Sequence, residues 1–164
     1  MRSREQIKAA ADAMRTAENA DSYVPFDPLT GAIRADWPSS VRDSADLLAA
    51  APVAIFVENR GTFSRGRATL VEAIRDRRIG SLVAYTFEVL GVGAAVENMW
   101  LAAHSFGLVA TFMGDVVVAE DAIGRMFSIS GDLVGVLVLG HPLPNAPRPR
   151  RDDEPVEGLV TWHN

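Results

Sequence analysis

The sequence contains no cysteine. That excludes disulfides, a thiol nucleophile and zinc–thiolate sites, and it is compatible with a cytoplasmic protein. Histidine is nearly as scarce. His104, His141 and His163 stand at no spacing that a metal site uses, so no metal site is expected. The phosphate-cradling pattern G-x-x-x-x-G-K-[ST] is absent, and so is the nucleophile elbow G-x-S-x-G. Gly91-Val92-Gly93 matches part of a dinucleotide fingerprint, but Val96 stands where the third glycine belongs. The pair also lies inside a helical pattern rather than after a strand, which rejects a Rossmann site. Basic charge is in deficit: 16 Lys and Arg against 21 Asp and Glu leave a net charge of −5. A nucleic-acid partner is therefore not expected, because phosphate contacts need a basic face. The longest apolar stretch, around Val89–Met99, is broken by glycines and Glu97 and falls short of the roughly 18 apolar residues of a membrane span. The first twenty residues are too polar for a signal peptide. Together these absences predict a soluble cytoplasmic protein.

What is present is ordinary globular material. The chain has 164 residues, 48% hydrophobic and 23% charged, enough for one domain with a real core. We read residues 1–164 as a single domain with a loop at 19–38 and a C-terminal arm at 141–164. Residues 3–18 predict a helix: Ser3 and Gln6 are spaced as in a capping box, and Ile7, Ala10, Ala11 and Met14 make an apolar stripe. Residues 20–38 hold three prolines and a glycine and read as a long loop, a lid or a wrapping segment. A short helix over 39–50 is ended by Pro52. Val53–Val57 (VAIFV) reads as a strand buried on both faces. Residues 59–67 are a polar loop whose glycines serve turns, and 68–79 a helix with Leu70, Ile74 and Val71 inward.

A long helix follows, from about Ala84 to Phe106. It is apolar on nearly all faces and rich in Gly and Ala, the pattern of a central buried helix. Gly107 is placed to cap its end. Leu108–Met113 and Leu133–Leu139 predict strands, with a short helix over Glu120–Phe127 between them. After Gly140 comes the proline-rich stretch PLPNAPRPRRDDEP, ending in VEGLVTWHN, a possible last strand. The order implies an α+β sandwich, a sheet flanked by helices.

Chemistry-bearing residues are few. His104 reads either as a general base or as a helix-terminal histidine bonded to a carbonyl. Glu97 and Asn98 sit in an apolar helix; they either orient a cofactor edge or loop, or pair with an arginine across a subunit interface. Arg148, Arg150 and Arg151 could bind a phosphate, or form a solvated tail with Asp152, Asp153 and Glu154. A chain without nucleophile or metal, if an enzyme, takes its chemistry from an organic cofactor.

One stretch is more specific. GAAVENMWLAAHSFGL (93–108), within the segment 91–115, resembles the central helix of the nitroreductase-like FMN-dependent oxidoreductases. Three further segments follow that family's order: SVRDSADLLAAAPVAIFV (40–57), LVGVLVLGHP (133–142) and the arginine-bearing tail RRDDEPVEGLVTWH (150–163). The resemblance covers roughly residues 38–163. It implies a nitroreductase-like α/β sandwich with a long buried central helix and an extended C-terminal arm. It implies a homodimer with FMN at the interface, reduced by NADH or NADPH and reoxidised by a small-molecule acceptor such as a nitroaromatic or quinone, in ping-pong hydride transfer. On this resemblance Thr111, Phe112, Met113, Gly114 and Asp115 flank the flavin ring, with a backbone N–H of Gly114 or Asp115 at flavin N5. Arg150 or Arg151 clamps the phosphate. The family's N-terminal Arg/Ser-rich phosphate motif and its Asn-x-Gln-Pro-Trp-like segment are not recognisable. The pocket is then expected to be completed by residues 20–38, with Arg34 as cation, or by a related flavoprotein subunit. A non-catalytic flavin-binding protein on the same fold is the other alternative.

Overall fold

The structure is a computed structural model that describes residues 3–19, 30, 32, 39–76 and 79–145. Its elements in chain order are α1 (Arg4–Asn19), α2 (Val41–Ala50), β1 (Val53–Asn59), α3 (Ala68–Asp76), α4 (Ile79–Ser105), β2 (Val109–Met113), a 3-10 turn (Asp115–Ala119), α5 (Glu120–Phe127) and β3 (Asp132–Gly140). The strands form one antiparallel sheet in the order β1-β3-β2. This is the expected α+β architecture.

Strand alternation gives the sheet two faces. The rows Ala54–Val138–Thr111 and Phe56–Val136–Met113 lie on one face. Against it pack α1, through Ile7, Ala10, Ala11 and Met14, α2, through Val41, Ala45 and Leu48, and the 3-10 turn with α5, through Val116, Ala119 and Ile123. The stripe read from α1 is fully buried, all four residues at 0%. The Phe56 and Phe127 rings tie α5 to the sheet, with centroids 4.8 Å apart. Truncating Ile123 to alanine would leave a cavity at the meeting of α1, α5 and β3. It should cost about 3 kcal/mol in chemical denaturation.

The helix ends show local chemistry at work. Gly107, at φ +70°, ends α4: its N–H donates to the His104 carbonyl (2.9 Å), and the Leu108 N–H donates to Ala103 (3.0 Å). This pair of bonds is the Schellman cap that the position of Gly107 predicts. Beyond β1, Gly61 (φ +66°) turns the loop back so closely that a side chain there would strike the Arg65–Gly66 backbone.

Three expectations need adjustment. β1 is an edge strand, so Ile55, Phe56 and Val57 are half-buried rather than enclosed on both faces. Among the described side chains of α3, Thr69 and Ala73 are buried, Leu70 is half-buried and Val71 is 70% exposed; the side chain of Ile74 lies outside the described residues. The long helix exists and starts earlier than expected, at Ile79. Within this chain, however, it is far from buried. Of its described side chains only Val96 and Ala103 are enclosed, whereas Phe87, Leu90 and Leu101 are each more than half exposed. The sheet, α3 and the loop after β1 each cover part of this apolar helix, and the rest has no cover among the described residues.

Candidate functional site at the end of β2

β2 runs from the α4 cap into the 3-10 turn, and its far end is the turn Met113–Gly114–Asp115. Met113 is buried and paired with Val136. Gly114 is exposed, at φ −79° and ψ −23°, and a Cβ built on it would meet nothing within 4 Å. The backbone here is open to whatever approaches it. Gly114 and Asp115 also begin a 3-10 turn, whose first N–H groups have no partner inside the turn. Thr111 is exposed on the same strand, and Phe112 lies on the opposite face, its ring over Gly135. The structure thus brings Thr111 to Asp115 together at one strand end. Arg150 and Arg151 lie outside the described residues, as do Arg34, Arg148 and the segment VEGLVTWHN that the sequence offers as a last strand.

Sequence reasoning missed what holds this turn. The Asp115 carboxylate accepts hydrogen bonds from Ser40 (2.9 Å) and Ser44 (2.6 Å), both through Oδ2. The two serines stand one helical turn apart at the start of α2, more than 70 residues away in sequence. The positive end of that helix also favours a carboxylate. The spacing Ser-x-x-x-Ser at a helix start was the available signal.

The other candidates sit apart from this turn. His104 is exposed in the last turn of α4, where its carbonyl accepts from Gly107. Glu97 and Asn98 are exposed on α4. The Gly91-x-Gly93 pair lies mid-helix. Among the described residues no group of three or more His, Cys, Asp or Glu could hold a metal, and no helix is long and apolar enough to cross a membrane.

A cleft of about 920 Å³ runs along β1, between the loop after it and α4. It is lined by Phe56, Phe63, Phe87 and Phe127. Large as it is, it lies on the edge strand remote from Gly114, with β3 between them, and we do not take it as the site. Its polar groups are structural. Glu88 of α4 accepts from the Phe63 N–H (2.5 Å), from the Ser64 hydroxyl and from the Asn59 amide (3.4 Å), latching the loop to the helix. The Ser64 hydroxyl is the main cause that holds the Glu88 carboxyl below its ordinary value. Glu58 is likewise lowered, chiefly by its bond to Arg60, with help from the Ser130 and Gly131 amides. A depressed carboxylate stabilises the fold above its unfolded value of about 4.5, and that stabilisation is lost as pH falls toward the folded value. Glu58→Gln and Glu88→Gln should therefore lower the melting temperature at pH 7, by an amount that shrinks as the pH falls below about 4.5. Melts across that range check this.

The sequence pattern of the nitroreductase family matches residues 2–141. No curated protein matches the chain. Among solved structures, a BluB-like flavoprotein from Clostridium difficile 630 is similar, with 20% sequence identity and a TM-score of 0.62. That alignment covers 100% of this chain and 77% of the other. With the strand order and the long helix already established, the match over 2–141 decides the question: the chain belongs to the nitroreductase family, a family of flavin-type oxidoreductases.

Proposed function

We propose that this protein is a dimeric FMN-dependent NAD(P)H oxidoreductase of nitroreductase type, acting on a nitroaromatic, quinone or related acceptor. The observation that carries the reading is the open Gly114 turn. It leaves a backbone surface that any side chain would fill, beside donors that the turn itself does not use. That is what the edge of a planar, hydrogen-bonding ring requires. FMN, when bound, supplies the hydride chemistry, accepting from NADH or NADPH and giving to the acceptor. The chain's part is to bind and orient. A backbone N–H of Gly114 or Asp115 would donate at N5, Thr111, Phe112 and Met113 would flank the ring, and Arg150 or Arg151 would pair with the phosphate.

The dimer follows from α4. Val83, Phe87, Leu90, Ala94 and Leu101 recur at steps of four, three, four and seven residues, and all are exposed. Gly91 and Gly93 add to this. Each costs about 1 kcal/mol in a helix relative to alanine, yet a Cβ at either would meet nothing within 4 Å among the described residues. A second helix that approaches closely would supply the reason for glycine there. Glu97 falls within the same stripe, in reach of a cation on a second copy. Leu101→Arg should convert the dimer to a monomer in analytical ultracentrifugation and abolish flavin retention together.

The deciding experiment is the visible absorption spectrum of the purified protein, with added FMN, before and after anaerobic NADPH. A retained flavin spectrum that bleaches with NADPH and recovers with a quinone is the expected result. A colourless protein that takes up no FMN, alone or with a co-purifying flavoprotein subunit, ends the proposal. FMN bound without turnover on any acceptor would make the chain a flavin-binding protein only.

A further inference from the structure

We infer that Asp115 is a positioning residue: the clasp of Ser40 and Ser44 on its carboxylate sets the orientation of the Gly114–Asp115 peptide and, through it, the donor offered to the flavin. This rests on the flavin reading above.

The argument starts at the glycine. Gly114 has no side chain to restrain it and its surroundings are open, so the Gly114–Asp115 peptide is held by one backbone bond, from the Val117 N–H to the Gly114 carbonyl (3.1 Å), and by its neighbours. On one side the neighbour is Met113, held by burial and by its pairing with Val136. On the other side it is Asp115, whose carboxylate hydrogen-bonds to α2. Its Oδ2 accepts both the 2.9 Å bond from Ser40 and the 2.6 Å bond from Ser44. Two donors converging on one oxygen from one helix turn fix the Asp115 side-chain angle more tightly than a single bond does. Charge-assisted O–H donation is also among the stronger hydrogen bonds. The peptide between Gly114 and Asp115 thus spans a glycine between two anchors, one apolar and one polar.

The polar anchor is not what holds the element in the core. The 3-10 turn is seated by Val116 and Ala119, at 0% and 5% exposure, and α5 by Ile123. Losing the clasp therefore frees the peptide without unfolding the element. α2 in turn is seated by Val41, Ala45 and Leu48, so Ser40 and Ser44 are also dispensable for packing. A clasp that joins two independently anchored helical elements, next to a glycine with open surroundings, has orientation as its effect.

The test uses the full-length protein. Amide hydrogen exchange at Val117, whose N–H donates to the Gly114 carbonyl, is measured without flavin; FMN affinity and the rate of flavin reduction by NADPH are measured with it. The variants are Asp115→Ala, the double variant Ser40→Ala/Ser44→Ala, and Asp115→Asn, which keeps an acceptor oxygen for the serines. The expected result is exchange at Val117 about tenfold faster, and flavin reduction about tenfold slower, in the first two variants, with Asp115→Asn restoring most of both. Unchanged exchange in the alanine variants overturns the inference. So does faster exchange with wild-type flavin affinity and reduction, which would make the clasp structural only. A wild-type protein that takes up no FMN removes the flavin reading itself, a different result from flavin that binds and is reduced equally well in all variants.

Discussion

Gly114→Leu is expected to weaken FMN binding by at least about tenfold, or ~1.4 kcal/mol, while the melting temperature stays within a few degrees of wild type. The two halves of this outcome come from one fact. A Cβ at Gly114 meets nothing within 4 Å, and the backbone there is right-handed helical, a conformation leucine adopts without strain. The protein itself therefore gives no reason to exclude a side chain. If that open space is where a flavin ring lies, the leucine occupies it. Fluorescence titration with FMN and a thermal melt on the same sample decide the matter. Unchanged affinity would move the flavin away from this turn, and a collapse in stability would mean the turn is packed after all.

The second large effect is on the fold. Gly131→Val should destabilise the protein by at least about 3 kcal/mol, seen as a urea midpoint lower by about 2 M. A Cβ on Gly131 would stand 2.7 Å from the Asn59 carbonyl carbon and 2.9 Å from the Arg60 Cα. Both are backbone atoms, so no side chain can swing aside to relieve the overlap. The site lies where β1 ends against β3, next to the register shift at Val57/Glu58 and under the Glu58 carboxylate that accepts from the Ser130 and Gly131 amides. Displacing it pulls the ends of the two strands apart. A variant as stable as the wild type would refute the close approach.

Legibility in the sequence followed the range of each interaction. The α1 stripe, the Gly107 cap and the limits of α5 are local, set by residues within a turn of one another, and they stand where the pattern placed them. The family was legible because residues 91–115 concentrate its features. The open turn at Gly114 could be named from resemblance but not described, because its shape depends on α2, whose serines lie 71 and 75 residues away. The exposure of α4 was not legible for a different reason. An apolar helix announces that it is buried, but a single sequence cannot say whether its cover comes from its own chain.

That helix has a further consequence. Most surface helices find their rotation about the long axis from the contrast between a wet face and a dry one. α4 has almost no such contrast, since apolar residues surround it. Water cannot tell it which way to turn. What remains is shape: the notches at Gly91 and Gly93, the shallow steps at Ala94, Ala95, Ala102 and Ala103, and the bulk of Phe87 and Trp100 between them. Its angular setting is a problem of steric fit. Exchanging one apolar residue for another of different volume on α4 should therefore perturb the protein as much as introducing a polar one.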